Sequence, residues 1–526
     1  MNLPGLNAQR TPRSQMLPVV LILLGFGLRV YRLDYQSMWW DEIMTVARSG
    51  MTIPELIQNL IDSRTHLPLY FLLLQVWSEI GRSEFVLRYF SVMCGVLTIP
   101  LLYQTGRLLA GHPSGLLAAF LLAISPFHIW YSQEARMYTF LALNALAAHW
   151  FLLRLLRQET RRDWLGYTVT MTFTLLSHYL GVLILIAHYV FFSLQYRHDR
   201  TRFKHWFISA AIAGSAFAAW FLAVYFINSF TQAPISWIRP VHWYEPLATL
   251  LAFSVGRTIN PAQPFYYLAF IAYCVPVLVV LFFRHRAAPD GPPTTLSLAR
   301  RLLLIWLGVP LLFLTIISLD WSIPQQRFIY MDRYVISLLP ALFLLAAWGI
   351  VLVAQQRWAK RWLLAVFMVA VLAPTIVSLR NLYDDPAYAR EDWRAVVAQM
   401  AISQKAGDVL LLPPGQILPL WYYADADLPQ IILPTLLEFE VLERETLFPQ
   451  RMAAELSALD DGAQRAWLIE VTDNADTHGF PQTRNAAVAS DQLDVYATWM
   501  GDHYPVIEKW IVTGIRLTLY DLQRDG

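Results

Sequence analysis

Charged side chains are scarce in this sequence. Asp, Glu, Lys and Arg make up only 15% of the 526 residues, and hydrophobic residues make up 56%. A soluble globular domain carries roughly 25% charged residues. Since about 20 apolar residues cross the hydrocarbon core of a bilayer, the chain can supply many membrane spans. The composition therefore predicts an integral membrane protein.

Cysteine is almost absent, and several common motifs are missing. Cys94 and Cys274 are the only two cysteines, and both lie in apolar runs, which argues against a disulfide framework or a thiolate metal site. The sequence has no P-loop, no GxGxxG ahead of a helix and no internal repeat. Cytoplasmic nucleotide chemistry and nucleic-acid binding therefore have no support.

Long apolar runs are abundant instead, and eleven of them have the length of membrane spans. They fall at about 15–33, 85–109, 114–131, 136–156, 163–177, 179–195, 205–228, 266–283, 302–319, 334–354 and 362–380. No small-residue cleavage signal follows the first run, so we interpret it as an uncleaved signal anchor. A further run, Leu67–Ile80, is short and predicts an interfacial or re-entrant helix.

The basic residues predict how these spans are oriented, because Lys and Arg accumulate in short cytoplasmic loops. With Arg10 and Arg13 inside, every second loop should be basic. These loops contain Arg107; Arg154, Arg157, Arg161 and Arg162; Arg197, Arg200, Arg202 and Lys204; Arg284, Arg286, Arg300 and Arg301; and Arg357, Lys360 and Arg361. We expect a multi-pass plasma (inner) membrane protein with a cytoplasmic N-terminus and an extracytoplasmic loop over 34–84.

The chain after Arg380 has a different composition and falls on the extracytoplasmic side by the same alternation. A helical pattern over Trp393–Ala401 precedes an apolar strand pattern over Val409–Leu412. Further elements are predicted at Ile431–Leu433, Gln450–Leu459, Trp467–Val471 and Ile515–Tyr520. We predict a mostly α polytopic domain over 1–381 and an extracytoplasmic α/β domain over 382–526.

Several arginines break the pattern, because they stand at the predicted extracytoplasmic ends of spans. They are Arg29, Arg32, Arg88, Arg136 and Arg333. Such a cation must snorkel to the headgroups, pair with a carboxylate or face a wet cavity. As a set, they would suit a phosphate or pyrophosphate, which guanidinium groups bind bidentately.

Carboxylates, histidines and a tyrosine occur in the same predicted outer segments. Asp41 is either the N-cap of a short helix over Glu42–Ser49 or a general base for an acceptor hydroxyl or amine. Glu134 is either a partner of Arg136 or a catalytic group. His66 is either a helix-start residue or a ligand. His178 and Tyr179 are either interface anchors or part of a site. A divalent metal ion held by Asp41, Glu134 and His66 is a further alternative by ligand type, although no spacing demands it.

The order of these motifs resembles a known enzyme family. RLDYQSMWWDE, HLPLYFLLLQVW, SPFHIWYSQEARMY, SHYLG and MDRYVISLLPAL follow one another between about residues 28 and 355. This series is similar to the bacterial members of glycosyltransferase family 39, which resemble the protein O-mannosyltransferases and, more distantly, the aminoarabinose transferases of the lipid A pathway.

The resemblance implies a C-type glycosyltransferase fold and a polyprenyl-phosphate-linked sugar donor. It implies that Asp41 is the catalytic base and that its neighbour Glu42 orients the site. It also marks substrate-binding candidates: His66, Gln133, Glu134, Arg136, Arg333 and Tyr334. Their positions in the predicted outer segments add Arg88, His178 and Tyr179 to these candidates. The family's His-Pro-Pro segment departs here at Leu67. The expected reaction is an inverting transfer of a hexose or pentose to a lipid, glycan or protein acceptor.

Two alternatives to this enzyme remain at the level of the sequence. A polytopic lipid or glycan transporter or flippase would also use many spans and buried charges, but transporter sites lie near the midplane of repeated halves. A binding subunit would keep the scaffold without catalysis. The clustering of the unusual charges at one predicted face, and the intact Asp41 and Glu42, favour the transferase.

Overall fold

The computed structural model describes most of the chain. It covers 12–196, 199–228, 238, 240–282, 295–322, 328–356, 361–412, 417–424, 429–433, 447–457, 463–471 and 495–523. Parts of some predictions fall outside these ranges: the last two residues of the helix predicted to end at Leu459, and the loop residues Arg10, Arg197, Arg284, Arg286, Arg357 and Lys360.

The chain separates into two compact units. The first contains Met1–Leu33 and Arg48–Leu379, and the second contains Asp34–Ala47 and Arg380–Gly526. The division near residue 380 is close to the predicted domain boundary. The segment 34–47, which carries the acidic pair, belongs to the second unit.

Long helices dominate the first unit. In chain order they are α1 (Pro12–Val30), α5 (Glu84–Ala110), α6 (His112–Ala123), α7 (Pro126–Ser132), α8 (Tyr138–Arg157), α9 (Arg161–Ser177), α10 (Val182–Tyr196), α11 (Arg200–Ile227), α13 (Tyr267–Phe282), α14 (Thr295–Ser318), α15 (Leu339–Ala354) and α16 (Arg361–Asp384). Short 3-10 turns over Tyr179–Gly181, Pro264–Tyr266 and Asp332–Leu338 extend α10, α13 and α15 at their starts.

The predicted eleven spans are not all matched by helices long and apolar enough to cross a membrane. Among the described residues, eight helices qualify, or nine when α6 and α7, bent by 58° at Ile124–Ser125, count as one span. The apolar part of α1, Met16–Val30, and the 17-residue α9 are too short to qualify. The chain is nevertheless a multi-pass membrane protein.

Shorter helices connect the long ones. They are α2 (Trp40–Ser49), α3 (Ile53–Ser63), α4 (Pro68–Ser78) and α12 (Glu245–Val255). As predicted, the run after Leu67 forms only a short apolar helix. The N-cap interpretation of Asp41 is wrong, because α2 begins at Trp40 and the carbonyl of Trp39 already accepts from Glu42 and Ile43. Asp41 therefore lies inside the first helical turn.

The second unit contains a five-stranded mixed sheet. Its strands are β1 (Asp408–Leu412), β2 (Gln430–Ile432), β3 (Arg465–Val471), β4 (Val506–Val512) and β5 (Ile515–Asp521), in the order β2-β1-β3-β5-β4. The first three are parallel, and β5 pairs antiparallel with β3 and β4. Helices α17 (Trp393–Ser403), α18 (Ile417–Tyr423), α19 (Leu447–Ser457) and a helix over 495–503 complete the unit.

Apolar side chains from both sheet faces form the core of this unit. Val409 and Leu411 pack on one face with Met452, whereas Leu410 and Leu412 pack on the other with Trp393. This alternation follows from the two-residue period of a strand. Strand β4 is not among the predicted elements, because this edge strand keeps most of its side chains exposed and lacks a buried apolar pattern.

Candidate functional site

A turn between α7 and α8 presents Arg136. The turn is held by the amide of Arg136, which donates to the carbonyl of Glu134 at 2.8 Å. Arg136 is buried, and its Nη2 lies 2.8 Å from Nε2 of His66, in the connection between α3 and α4. The first unit thus joins two predicted site residues that are 70 positions apart in the sequence.

The surroundings of His66 keep its imidazole neutral. Oγ1 of Thr65 lies 2.7 Å from Nδ1, and Nη1 of Arg48 lies 3.3 Å from the same atom. Burial, followed by the charges of Arg136 and Arg48, holds the pKa of His66 well below its usual range. The two shorter contacts fit the tautomer in which Nδ1–H donates to Thr65 and Nε2 accepts from Arg136, and in this tautomer the longer contact of Arg48 is not a hydrogen bond.

A second histidine is influenced by the charges of two arginines. His178 follows α9, and its ring centroid is 4.8 Å from that of Tyr334. Burial and the charges of Arg136 and Arg333 lower the pKa of His178 to about 3. Arg333 and Tyr334 lie in the 3-10 turn before α15, and Arg333 is buried. The electrostatic potential at His178 is therefore positive.

Two tyrosines form an aromatic wall beside these cations. The rings of Tyr138 and Tyr334 stack at 6.4 Å with an interplanar angle of 26°. The guanidinium of Arg136 lies 5.9 Å from the Tyr138 ring centre, and that of Arg333 lies 5.7 Å from the Tyr334 ring centre. Such cation–π contacts hold each guanidinium against a flat surface.

We call Arg48, His66, Arg136, His178 and Arg333 the cationic cluster. Its members come from α2, the α3–α4 connection, the α7–α8 turn, the end of α9 and the start of α15. Charged guanidinium groups beside neutral imidazoles provide both positive charge and hydrogen bonds. This combination suits a phosphate group, whose oxygens accept several charge-assisted hydrogen bonds.

Four other predicted site residues contact different parts of the first unit. Nε2 of Gln133 donates to the carbonyls of Arg29 and Tyr31, at 3.1 and 2.8 Å. Glu134 is buried and accepts a 2.8 Å hydrogen bond from Nε1 of Trp130.

The remaining two of these four are Arg88 and Tyr179. Nη1 of Arg88 donates to the carbonyl of Leu33 at 2.9 Å and lies 3.8 Å from Glu84. The Tyr179 ring meets Phe217 of α11 edge-on, with ring centroids 6.2 Å apart. Three of these residues, Gln133, Glu134 and Arg88, form their hydrogen bonds near the ends of spans.

Arg29 has a structural position that its sequence pattern did not reveal. Its Nη1 donates to the carbonyls of Gly25 and Ala123, and its Nη2 donates to the carbonyl of Leu122, all at 2.9–3.0 Å. Its Nη2 also lies 3.0 Å from Nδ1 of His128. Since the last carbonyls of a helix lack intrahelical donors, Arg29 satisfies them where α6 ends and the chain bends into α7.

The acidic pair lies in the second unit, on α2. Glu42 is fully buried, and its Oε2 accepts from Nη1 of Arg390 at 2.7 Å. Asp41 is half-buried, and its carbonyl accepts from Oγ1 of Thr45 at 2.9 Å. Arg390 is not among the predicted site residues, because nothing in the sequence links it to Glu42, 348 positions away.

Arg48 and Tyr138 were missed as well. Arg48 resembles an ordinary basic residue in the last turn of a helix, although its position in an otherwise apolar protein is a weak signal. Across the described ranges, no group of three or more His, Cys, Asp or Glu side chains could hold a metal ion. The structure thus offers no ready set of ligands for the suggested divalent ion in these ranges.

Part of the chain matches a known protein family. Residues 65–221 match the family model described as dolichyl-phosphate-mannose-protein mannosyltransferase. The matched region includes His66, Arg88, Arg136 and His178 and stops short of Arg333. No curated protein matches the sequence.

Solved structures give a match over nearly the whole chain. ArnT from Cupriavidus metallidurans bound to undecaprenyl phosphate has a TM-score of 0.58 and 14% identity, covering 96% of this chain and 98% of that one. Archaeoglobus fulgidus oligosaccharyltransferase tethered with an acceptor peptide has a TM-score of 0.53 and 12% identity, covering 96% and 74%.

A third structure, the archaeal oligosaccharyltransferase AglB from Archaeoglobus fulgidus in complex with an inhibitory peptide and a dolichol-phosphate, has a TM-score of 0.52 and 13% identity. It covers 98% of this chain and 74% of that one. The predicted C-type glycosyltransferase fold and the resemblance to glycosyltransferase family 39 are therefore confirmed.

Proposed function

We propose that this protein is a membrane glycosyltransferase that moves a sugar from a polyprenyl-phosphate donor to an acceptor. The observation that carries the proposal is the convergence of His66, Arg136, His178 and Arg333 in one cationic cluster. The fold and the matched family favour this chemistry over transport.

The cationic cluster is the proposed binding site for the donor phosphate. Arg136 and Arg333 stay charged at any physiological pH, and burial strengthens their interaction with an anion. The lowered pKa values of His66 and His178 keep both imidazoles neutral. A neutral imidazole accepts a hydrogen bond from an arginine and so orients the guanidinium without competing for the phosphate.

The proposed reaction is a direct displacement at the anomeric carbon. The acceptor oxygen or nitrogen attacks this carbon while Asp41 removes its proton, and the bond between the anomeric carbon and the phosphate oxygen breaks. Polyprenyl phosphate leaves with the electron pair and needs no general acid, because the arginines stabilise its charge. A single displacement inverts the configuration of the transferred sugar.

The identity of the donor lipid is proposed from the neighbouring structures. ArnT binds undecaprenyl phosphate and AglB binds a dolichol-phosphate. The alternation of basic loops supports a site on the extracytoplasmic side of the plasma membrane, where lipid-linked sugars serve cell-envelope glycosylation. The acceptor is a lipid, a glycan or a protein.

Replacing Asp41 with Asn tests the proposed base. Removing a general base costs about 10²–10⁴-fold in rate, so we expect transfer by the purified variant in lipid nanodiscs to fall by that factor. A panel of polyprenyl-phosphate sugars, with products followed by mass spectrometry, identifies the active donor. NMR of the product measures the anomeric configuration.

Asp34→Asn is the matched control, since Asp34 is an exposed acid in the same segment. It should transfer at the wild-type rate. An Asp41→Asn variant with full activity would exclude Asp41 as the base. Retained anomeric configuration would exclude the single displacement.

A further inference from the structure

The second unit joins the acidic segment to the C-terminal domain through a buried ion pair. Glu42 is 0% exposed and the Arg390 side chain is 9% exposed, with 2.7 Å between Oε2 and Nη1. The guanidinium of Arg390 also lies 5.4 Å from the centre of the Trp39 ring, and its amide donates to Oε1 of Gln36 at 3.2 Å. Arg390 therefore contacts α2 and the residues just before it.

Further hydrogen bonds attach the same segment to α17 and α18. Oγ of Ser37 donates to Asp392, the N-cap of α17, at 3.3 Å. The backbone amide of Met38 donates to the hydroxyl of Tyr423 at 2.6 Å.

Arg394 adds two contacts to the backbone of this segment. Its Nη1 and Nη2 donate to the carbonyls of Tyr35 and Asp34, at 3.2 and 3.0 Å. These contacts involve backbone groups or side chains before α2. The Glu42–Arg390 pair holds the first turn of α2 through a side chain, whereas Arg48 in the last turn donates to Asn59.

The ion pair determines which way the neighbouring acid points. Successive residues of an α-helix are rotated by 100° about the helix axis, since 3.6 residues make one turn. When Arg390 holds the Glu42 side chain, the Asp41 side chain has to leave α2 in a direction 100° away from it about the helix axis. Asp41 is half-buried, while Glu42 is completely enclosed. Rotation of α2 about its axis would misdirect Asp41 and also leave a buried charge without its partner.

We propose that Arg390 and Glu42 are positioning residues. Through this ion pair, the C-terminal domain fixes the orientation of the Asp41 carboxylate. The inference rests on the proposed function, in which Asp41 is the base. It assigns a task to the C-terminal α/β domain and separates the roles of the two adjacent acids. Asp41 removes the proton, and Glu42 sets the rotation of the helix that carries it.

Arg390→Met is the main test, in the full-length protein in nanodiscs with its active polyprenyl-phosphate sugar. A shift of about 1 Å in a catalytic group costs about 100-fold, so we expect kcat to fall by about that factor. KM for the donor should change less than threefold, because Arg48 is the one member of the cationic cluster on α2 and has its own hydrogen bond to Asn59. Arg451→Met is the matched control, since Arg451 is an exposed arginine of the same unit, and it should keep wild-type kcat.

A charge swap distinguishes positioning from direct catalysis. The double variant Glu42→Arg with Arg390→Glu restores an ion pair but leaves no carboxylate at position 42. If Glu42 only positions the helix, kcat of the double variant should be at least tenfold higher than kcat of Arg390→Met. A folded swap variant with no recovery would overturn the positioning role of Glu42, as would wild-type kcat in Arg390→Met.

Hydrogen exchange provides a readout that does not depend on activity. Amides of Glu42–Ser49 should exchange at least tenfold faster in Arg390→Met than in the wild type. If Arg390→Met does not fold, Arg390→Lys takes its place, with a smaller increase expected. Unchanged exchange would overturn the inference even in an active enzyme. A wild type that transfers no sugar, combined with faster exchange in the variant, would overturn the proposed function and leave the positioning intact.

Discussion

Arg29 and Arg136 belong to two regions of the first unit that look alike in the sequence. Each is a buried arginine near the end of a predicted span. Both guanidinium groups contact an imidazole, but Arg29 also donates to backbone carbonyls where α6 ends, whereas Arg136 lies beside the Tyr138 ring. The first environment replaces missing helix hydrogen bonds, and the second gathers cations and titratable groups around one point.

The difference shows that the role of a buried arginine in a membrane protein follows from the groups that its guanidinium contacts. Carbonyl groups at a helix end are permanent parts of the fold, so an arginine that satisfies them stabilises the structure. At the cationic cluster, burial and then the charges of three arginines, Arg48, Arg136 and Arg333, lower the pKa values of His66 and His178, which indicates a site with an excess of positive charge. Three substitutions test this distinction.

Arg136→Met should have the largest effect, and it should affect catalysis. Loss of one charge-stabilising donor costs about 10²–10³-fold in rate, or about 3–4 kcal/mol. We expect kcat/KM for the polyprenyl-phosphate donor to fall by that factor, measured in nanodiscs. Arg136→Lys keeps the charge but loses the planar guanidinium group, so its kcat/KM should lie between those of the wild type and Arg136→Met. Wild-type kcat/KM in Arg136→Met would remove Arg136 from the donor site.

Arg29→Met should lower stability instead. Each buried acceptor left without a donor costs about 1–3 kcal/mol, and the carbonyl of Ala123 loses its contact with Arg29. We expect a loss of about 2–3 kcal/mol in unfolding free energy, measured by denaturant titration in detergent. Activity per folded molecule should stay at the wild-type value. Arg82→Met, at an exposed arginine, is the control. An active-site defect without destabilisation would reverse the assignment.

His178→Asn should have the smallest effect, visible in the pH dependence of stability. Because the pKa of folded His178 is lowered to about 3, only the unfolded chain binds this proton between pH 6.5 and 3. Stability then falls with decreasing pH by about 1.4 kcal/mol per unit for this group. The variant should show a flatter decline below pH 6.5. His205→Asn, at an exposed histidine, should keep the wild-type slope, and equal slopes in all three proteins would contradict the assignment.

The membrane helices could be predicted from the sequence because their signal is local. Runs such as 334–354 and 362–380 correspond closely to α15 and α16. The count of eleven spans stays a prediction, since eight helices of the described residues, or nine with the bent pair, are long and apolar enough to cross a membrane. In the second unit, buried strands such as β3 were predicted and the exposed edge strand β4 was not.

The candidate site was predicted residue by residue but not as an arrangement. His66, Arg136, His178, Arg333 and Tyr334 come together, whereas Gln133 contacts backbone carbonyls at the end of α1. Arg48 and Arg390 were not predicted, because their roles depend on partners distant in the sequence or on the packing of neighbouring helices. The assignment of Asp41 and Glu42 to catalysis stays a prediction.

The sequence by itself determined the class of the protein, the approximate positions of its helices and the residues that resemble a transferase site. These properties follow from hydropathy, periodicity and motif order, which are readable within short windows. Only the tertiary structure decided that Arg29 stabilises a helix end, that Arg136 joins the cationic cluster and that Glu42 pairs with Arg390. The physical reason is that a charge takes its role from the groups that surround it, and folding brings those groups from distant parts of the chain.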